Sequence, residues 1–213
     1  MKLTVVAPFR SELPRAPAGA RAFVLGNVAA GGSPPALPGE GGLVITGSCG
    51  ALGPGVPLGS LVMPAEIVDA DGTIRRPDDR WTAAFRVAVD GAGLSCREER
   101  LIEVGEVTDE PAARARLAAA TAASFVDLES ATLAAAAAAV DRPWLVLRFV
   151  SDSPERPLSW LPALFGGWPE SEPGPGTVLA ALARRPWLFP RLLALGMVVR
   201  RGRLSVEEIL RKL

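Results

Sequence analysis

A chain of 213 residues is long enough for one α/β domain that buries a substantial core. Its 23 basic and 23 acidic residues cancel, so no global field recruits nucleic acid or an anionic membrane. It contains neither histidine nor tyrosine, so acid–base chemistry near neutral pH falls to carboxylates, cysteines or perturbed bases.

Cys49 and Cys96 are too few for a disulfide framework, and without histidine no Cys/His zinc site can be assembled. The expectation is a reduced, cytoplasmic protein. The N-terminal apolar stretch is too short for a signal peptide and reads as a first strand. The longest uncharged apolar block, residues 131–140, is about half of what a membrane span requires.

In chain order, residues 3–7, 22–25 and 43–46 are short β-prone runs bounded by Gly or Pro, suited to buried strands of a mostly parallel sheet. Residues 60–69 predict a longer strand, with Asp71-Gly72 as a hairpin turn. Residues 32–42 and 166–176 are rich in Gly and Pro and read as loops, the second a surface loop or a lid. Gly26-Asn-Val-Ala-Ala-Gly-Gly lacks the spacing of a dinucleotide loop. Thr108 is the expected N-cap of a helix reaching about residue 123, with Asp109, Glu110 and Pro111 in its first turn. A strand at 125–128, an alanine-rich helix at 130–140 ended by Pro143, and a strand at 144–150 make a crossover unit with parallel strands. Short helices follow at 178–183 and 191–195. Apolar residues at 160, 161, 164, 165 and 168 form a patch for the core, an oligomer face or an apolar ligand. Ser205 and Glu208 read as a capping box that opens a C-terminal helix. The fold class that results is a single-domain, three-layer α/β/α architecture with a mixed central sheet over residues 1–213.

In open α/β sheets, ligands bind beyond the carboxyl ends of the strands. Four polar residues gather there: Glu12 after the first strand, Ser48 in the turn Thr46-Gly-Ser-Cys-Gly, Glu129 and Asp152. A carboxylate at such a place either caps the next helix or faces a ligand, and for Glu129 the two are evenly matched. Ser48 offers a hydroxyl and backbone N–H groups to a ligand oxygen, or its flanking glycines serve only the turn. Arg148 interrupts Trp144-Leu-Val-Leu-Arg-Phe-Val, a run otherwise fit for burial on both faces. It must meet a carboxylate, in a structural ion pair or in the site, or line a polar cavity. Cys49, with no histidine to activate it, reads as a small buried thiol.

These pieces together resemble the purine nucleoside phosphorylase and nucleosidase family, especially its methylthioadenosine/S-adenosylhomocysteine nucleosidase branch. Ala7-Pro-Phe-Arg-Ser-Glu-Leu resembles that branch's first loop. Val44-Ile-Thr-Gly-Ser-Cys-Gly-Ala-Leu and Leu58-Gly-Ser-Leu-Val-Met-Pro resemble its glycine-rich turn and following strand. Val126-Asp-Leu-Glu-Ser-Ala resembles the ribose-binding signature, and Arg148-Phe-Val-Ser-Asp the catalytic segment. The tail from Val178 is similar to the hopanoid-associated phosphorylases of the same group.

The resemblance implies roles. Asp152 is the acid that protonates purine N7, Glu129 binds the ribose hydroxyls, and Glu12 activates a water that Arg148 and Ser48 orient. Leu128, Gly50, Ser151 and Phe149 join the substrate-binding set, with Phe149 a candidate to stack on the base. The implied protein is a homodimer acting on a small nucleoside without metal or organic cofactor, phosphate being a co-substrate if it is a phosphorylase. Leu128 stands where the family has methionine, the aromatic expected within residues 103–112 is missing, and the Gly-Asp-Pro-x-Arg phosphate loop is absent. The expected reaction is therefore hydrolysis of the N-glycosidic bond of a purine nucleoside with a modified 5′ group. The alternatives are phosphorolysis and nucleoside binding without catalysis.

Overall fold

The computed structural model describes residues 2–26, 36–167 and 172–213. The chain runs β1 (Leu3–Ala7), β2 (Ala20–Val24), β3 (Gly42–Ala51), β4 (Leu61–Val62), β5 (Ile67–Val68), β6 (Ile74–Arg75), α1 (Asp79–Gly91), β7 (Cys96–Arg97) and β8 (Leu101–Glu103). It continues through α2 (Pro111–Thr121), β9 (Phe125–Asp127), α3 (Ser130–Ala138), β10 (Trp144–Asp152), α4 (Trp160–Phe165), α5 (Pro175–Arg184) and α6 (Phe189–Leu210).

The two longest strands form the spine of one mixed sheet. β3 pairs in parallel with β1 on one edge and with β10 on the other, and β2 adds to β1. The far end of β3 turns to meet β9 in antiparallel register, Gly50 opposite Val126, so the sheet curls. Every residue of β10 is buried, as expected of a strand covered on both faces. Alternation then sorts its side chains. Val146 and Val150 pack with Leu43, Ile45 and the Leu133, Ala134 and Ala137 of α3. Leu145, Leu147 and Phe149 pack on the other face against Trp81 and Phe85 of α1 and Val206, Ile209 and Leu210 of α6. These are the three expected layers.

Several local expectations give way to packing. Residues 60–69 form two short strands, β4 and β5, because Pro64 between them removes a ladder donor. The Asp71-Gly72 turn does close a hairpin, with Ile67 opposite Arg75. Thr108 is not a cap: α2 begins at Pro111 with Glu110 at the N-cap position, and Asp109 accepts from Leu158 N at 2.8 Å instead. The crossover fails as well. β9 and β10 are separated by β3, antiparallel to the first and parallel to the second, because ten-residue β3 is the partner that matches the length of β10.

Ser205 opens no helix. It lies inside α6, 22 residues long, which absorbs the expected short helix at 191–195. α6 runs through Gly202 because that residue sits on the Phe149 ring, where an added Cβ would stand 2.2 Å from Cγ. Packing of Val206, Ile209 and Leu210 outweighs the cap signal. In α4, Leu164 is buried with Ala181 and Leu188. The expected loops at 32–42 and 166–176 fall partly outside the described residues, as does position 168 of the apolar patch. Among the described residues no helix is long and apolar enough to cross a membrane.

Candidate active site

The pairing of β3 with β10 sets Arg148 opposite Gly47. A Cβ on Gly47 would lie 2.4 Å from Arg148 Nη1 and 3.0 Å from Glu12 Oε2, so this glycine leaves the space over the strand that the guanidinium and the carboxylate approach from either side. The residue run expected as a turn after a strand is thus the interior of β3, held extended by its unbroken pairing to β10.

Arg148 is fully buried. Its Nη2 lies 2.7 Å from Asp127 Oδ2 and 2.6 Å from Glu129 Oε1. Nε and Nη2 donate to Ser130 Oγ, and Nη1 donates to Thr46 O at 3.0 Å. Burial opposes its charge, but Glu129, Asp127 and Glu12 outweigh burial and hold the guanidinium protonated. Asp127 also caps α3, accepting from Ser130 N at 3.3 Å and from Ser130 Oγ. Glu129 sits at the N-cap position of α3 yet makes no capping bond. Its helix-cap alternative is therefore removed. Burial pushes the Glu129 carboxyl up to about 7, with Arg148 opposing and Asp127 and Glu12 adding to the rise.

Glu12 is positioned by the turn after β1, closed by Glu12 N donating to Phe9 O at 3.2 Å. Its Oε1 accepts from Ser48 Oγ at 2.5 Å and from Ser48 N at 3.2 Å. Its Oε2 is buried and has no hydrogen-bond partner. Burial raises its proton affinity, against the hydrogen bond from Ser48 and the field of Arg148. A pinned carboxylate with one unengaged, desolvated oxygen is equipped to accept a proton.

A second cluster surrounds Asp152, just beyond a register shift in β10. Asp152 Oδ2 is ion-paired to Arg114 Nη2, and Oδ1 accepts from Ser151 Oγ at 2.6 Å. Arg114, from α2, is buried and also donates to Ala51 O at 2.8 Å and Asp109 Oδ1 at 3.2 Å. Gly50 leaves the space, since a Cβ there would lie 2.8 Å from Asp152 Oδ2. From Gly47 to Gly50 the strand advances roughly 10 Å. Between them the Cys49 thiol is pushed well above its usual range by burial and then by Asp127; Asp152 and Glu12 add to the rise and Arg148 opposes it. It is a small buried thiol, as expected.

The structure therefore gathers Glu12, Ser48, Glu129 and Arg148 in one cluster and Asp152, Ser151 and Gly50 in a second, with Leu128 half-buried beside the first. Phe149 is the exception. Alternation puts its ring on the opposite face of β10 from Arg148, fully buried against Gly202, with no face free for a base. Sequence reasoning missed Asp127, Ser130, Arg114 and Asp109. Ser130 and Asp127 stood inside a quoted motif, but Arg114 looks like its exposed helix neighbour Arg116 and only the fold separates them. Among the described residues no group of three or more acidic or cysteine side chains is arranged to hold a metal. A cavity of about 760 Å³ lined by Leu37, Gly41, Val140 and Arg142 lies at the opposite end of β3 from these clusters.

A family model described as Phosphorylase superfamily matches residues 39–161, more than half of the chain and all residues of the two clusters except Glu12. Among solved structures, a futalosine hydrolase mutant of Helicobacter pylori is similar over 100% of both chains, with a TM-score of 0.66 at 11% identity. The 5′-methylthioadenosine/S-adenosyl homocysteine nucleosidase of Helicobacter pylori is similar over 100% of this chain and 99% of that one, at a TM-score of 0.66 and 11% identity. The corresponding nucleosidase of Colwellia psychrerythraea, in complex with adenine, covers 100% and 96% at a TM-score of 0.63 and 14% identity. At these identities the likeness is one of fold. No curated protein matches the sequence.

Proposed function

The chain belongs to the phosphorylase superfamily and is an N-ribosyl hydrolase or phosphorylase; from that premise we propose that it hydrolyses the N-glycosidic bond of a purine nucleoside with a modified 5′ group. The observation that carries this reading is Glu12: buried, pinned by Ser48 and presenting an unpartnered Oε2 beside Arg148. It takes a proton from the attacking water. Glu129, steadied by Arg148, accepts from the ribose hydroxyls, and its negative charge favours the oxocarbenium-like transition state. Asp152, opposite Gly50 at the end of β10, takes up a proton from solvent as the incoming base displaces Arg114 and delivers it to purine N7, so that the base departs neutral. In the free protein Arg114 and Ser151 occupy both of its oxygens, so the base exchanges for one of these contacts as it binds. The structural relatives, named for futalosine and for methylthioadenosine, support a 5′-modified purine nucleoside as the substrate class.

Water is favoured over phosphate by charge. Asp127, Glu129 and Ser130 already engage the Arg148 guanidinium, so it is not free to neutralise a phosphate dianion. A cytoplasmic homodimer without cofactor completes the reading. The test is release of free adenine from methylthioadenosine with and without phosphate. Strict phosphate dependence would make the protein a phosphorylase. Asp152→Asn should retain its fold and lose most turnover, and unchanged turnover would remove Asp152 from the mechanism.

A further inference from the structure

The neutral net charge hides a separation. Residues 175–213 contain eight basic and two acidic side chains, a local net of +6; residues 1–174 contain fifteen and twenty-one, a net of −6. The basic segment also bears the largest group of exposed apolar side chains. On α6, Phe189, Leu193, Met197, Arg200 and Leu204 follow one another at steps of three or four, so they share one helical face. The four apolar ones are 54%, 52%, 58% and 43% exposed, and Trp187 (69%) and Leu179 (72%) are exposed in the same segment. Arg184, Arg191 and Arg201 are exposed around it.

We propose that this face of α5 and α6 docks on an anionic lipid bilayer, with Trp187, Phe189, Leu193 and Met197 entering the headgroup boundary and the arginines meeting lipid phosphates. Two features select this occupant. Self-association through the patch would press Arg184, Arg191, Arg200 and Arg201 against the same residues of a second copy, whereas anionic headgroups complement them. The mixture of Trp, Phe and Leu with arginines, whose stems lie along apolar surface while their heads reach phosphate, is the pattern of an in-plane helix. α6 cannot instead span the membrane, since it carries four arginines and two glutamates. A depression of about 480 Å³ borders this face, lined by Arg200 and Arg201 with Met197, Leu204, Ser205 and one carboxylate, Glu208. Just before α5, Glu172 accepts from Ser11 N at 3.2 Å, which ties the arm to the loop that carries Glu12. The inference stands without the proposed reaction.

The test is co-sedimentation of the full chain with vesicles of phosphatidylcholine alone and of phosphatidylcholine mixed with phosphatidylglycerol, at low and high salt. Binding to the mixed vesicles should exceed binding to neutral ones by at least about tenfold and weaken with salt. Leu193→Ser/Met197→Ser and Arg191→Glu/Arg200→Glu should each reduce it at least about tenfold, with circular dichroism and vesicle-free nucleoside turnover unchanged. The absence of binding to mixed vesicles, or equal binding to both kinds, overturns the proposal. So does a serine pair that leaves lipid binding intact but converts a dimer to a monomer in sedimentation.

Discussion

Replacing Arg148 with methionine tests whether this residue is the electrostatic keystone of the first cluster. Methionine keeps a similar apolar stem and adapts to irregular space, so the change removes charge more than volume. It leaves Asp127 and Glu129, paired to Nη2 at 2.7 and 2.6 Å, buried without their cation. Breaking a buried pair in this way costs about 3–5 kcal/mol, a large part of a domain's net stability. The cost should depend on pH. Glu129 already holds its proton up to about 7 with Arg148 opposing, and without Arg148 it holds it to higher pH still. The folded variant then binds a proton that the unfolded chain has released, so its stability falls by about 1.4 kcal/mol for each pH unit above the ordinary glutamate range. Between about pH 5.5 and about pH 8 the variant should lose about 3.4 kcal/mol and wild type about 2 kcal/mol, so urea unfolding of both proteins should show the gap widening by about 1.4 kcal/mol. Adding Glu129→Gln to the variant should flatten the pH dependence. A gap below about 1 kcal/mol, or one equal at both pH values, would refute the reasoning.

In wild type, Glu129 binds its proton more tightly folded than unfolded, so its contribution to stability is present below about 4.5 and is lost as pH rises through about 7. If its charged form binds ribose, kcat/KM should fall as pH drops through about 7, and a flat profile in that range would exclude the role. Arg114→Leu leaves the buried Asp152 and the half-buried Asp109 without their cation and should cost about 3 kcal/mol in denaturant unfolding, with kcat reduced at least about tenfold. Gly202→Ala should lower stability by about 1–3 kcal/mol by forcing α6 off the Phe149 ring, and Phe149→Leu should recover part of the loss in calorimetry. Cys49 should resist a thiol reagent in the folded protein and react fully in urea; prompt native labelling would contradict its burial.

The central strands were legible because a strand buried on both faces writes itself as an unbroken apolar run, as Trp144–Asp152 does apart from its arginine. That interruption was also the best pointer to the site, since a guanidinium in such a run demands carboxylates, and two were found. The errors share a cause. Ser205 and Thr108 carry local cap signals of about 1 kcal/mol, too weak against the burial of Val206, Ile209 and Leu210 or against Pro111 fixing the start of α2. Phe149 was misassigned because its motif was read as a unit, whereas strand alternation sends neighbours to opposite faces. Arg114 was invisible because its meaning depends on α2 lying over Ala51 and Asp152, far away in sequence.

The eight matched positions between β3 and β10 make the assembly of the candidate site digital. Sliding one strand by a single place would swap the sides of Arg148 and Phe149, driving charge into oil and an aromatic ring among the acids. No half-correct version of this arrangement exists. A newly made chain therefore either possesses the whole constellation or none of it, and damage to the spine should silence molecules one at a time rather than dim them all.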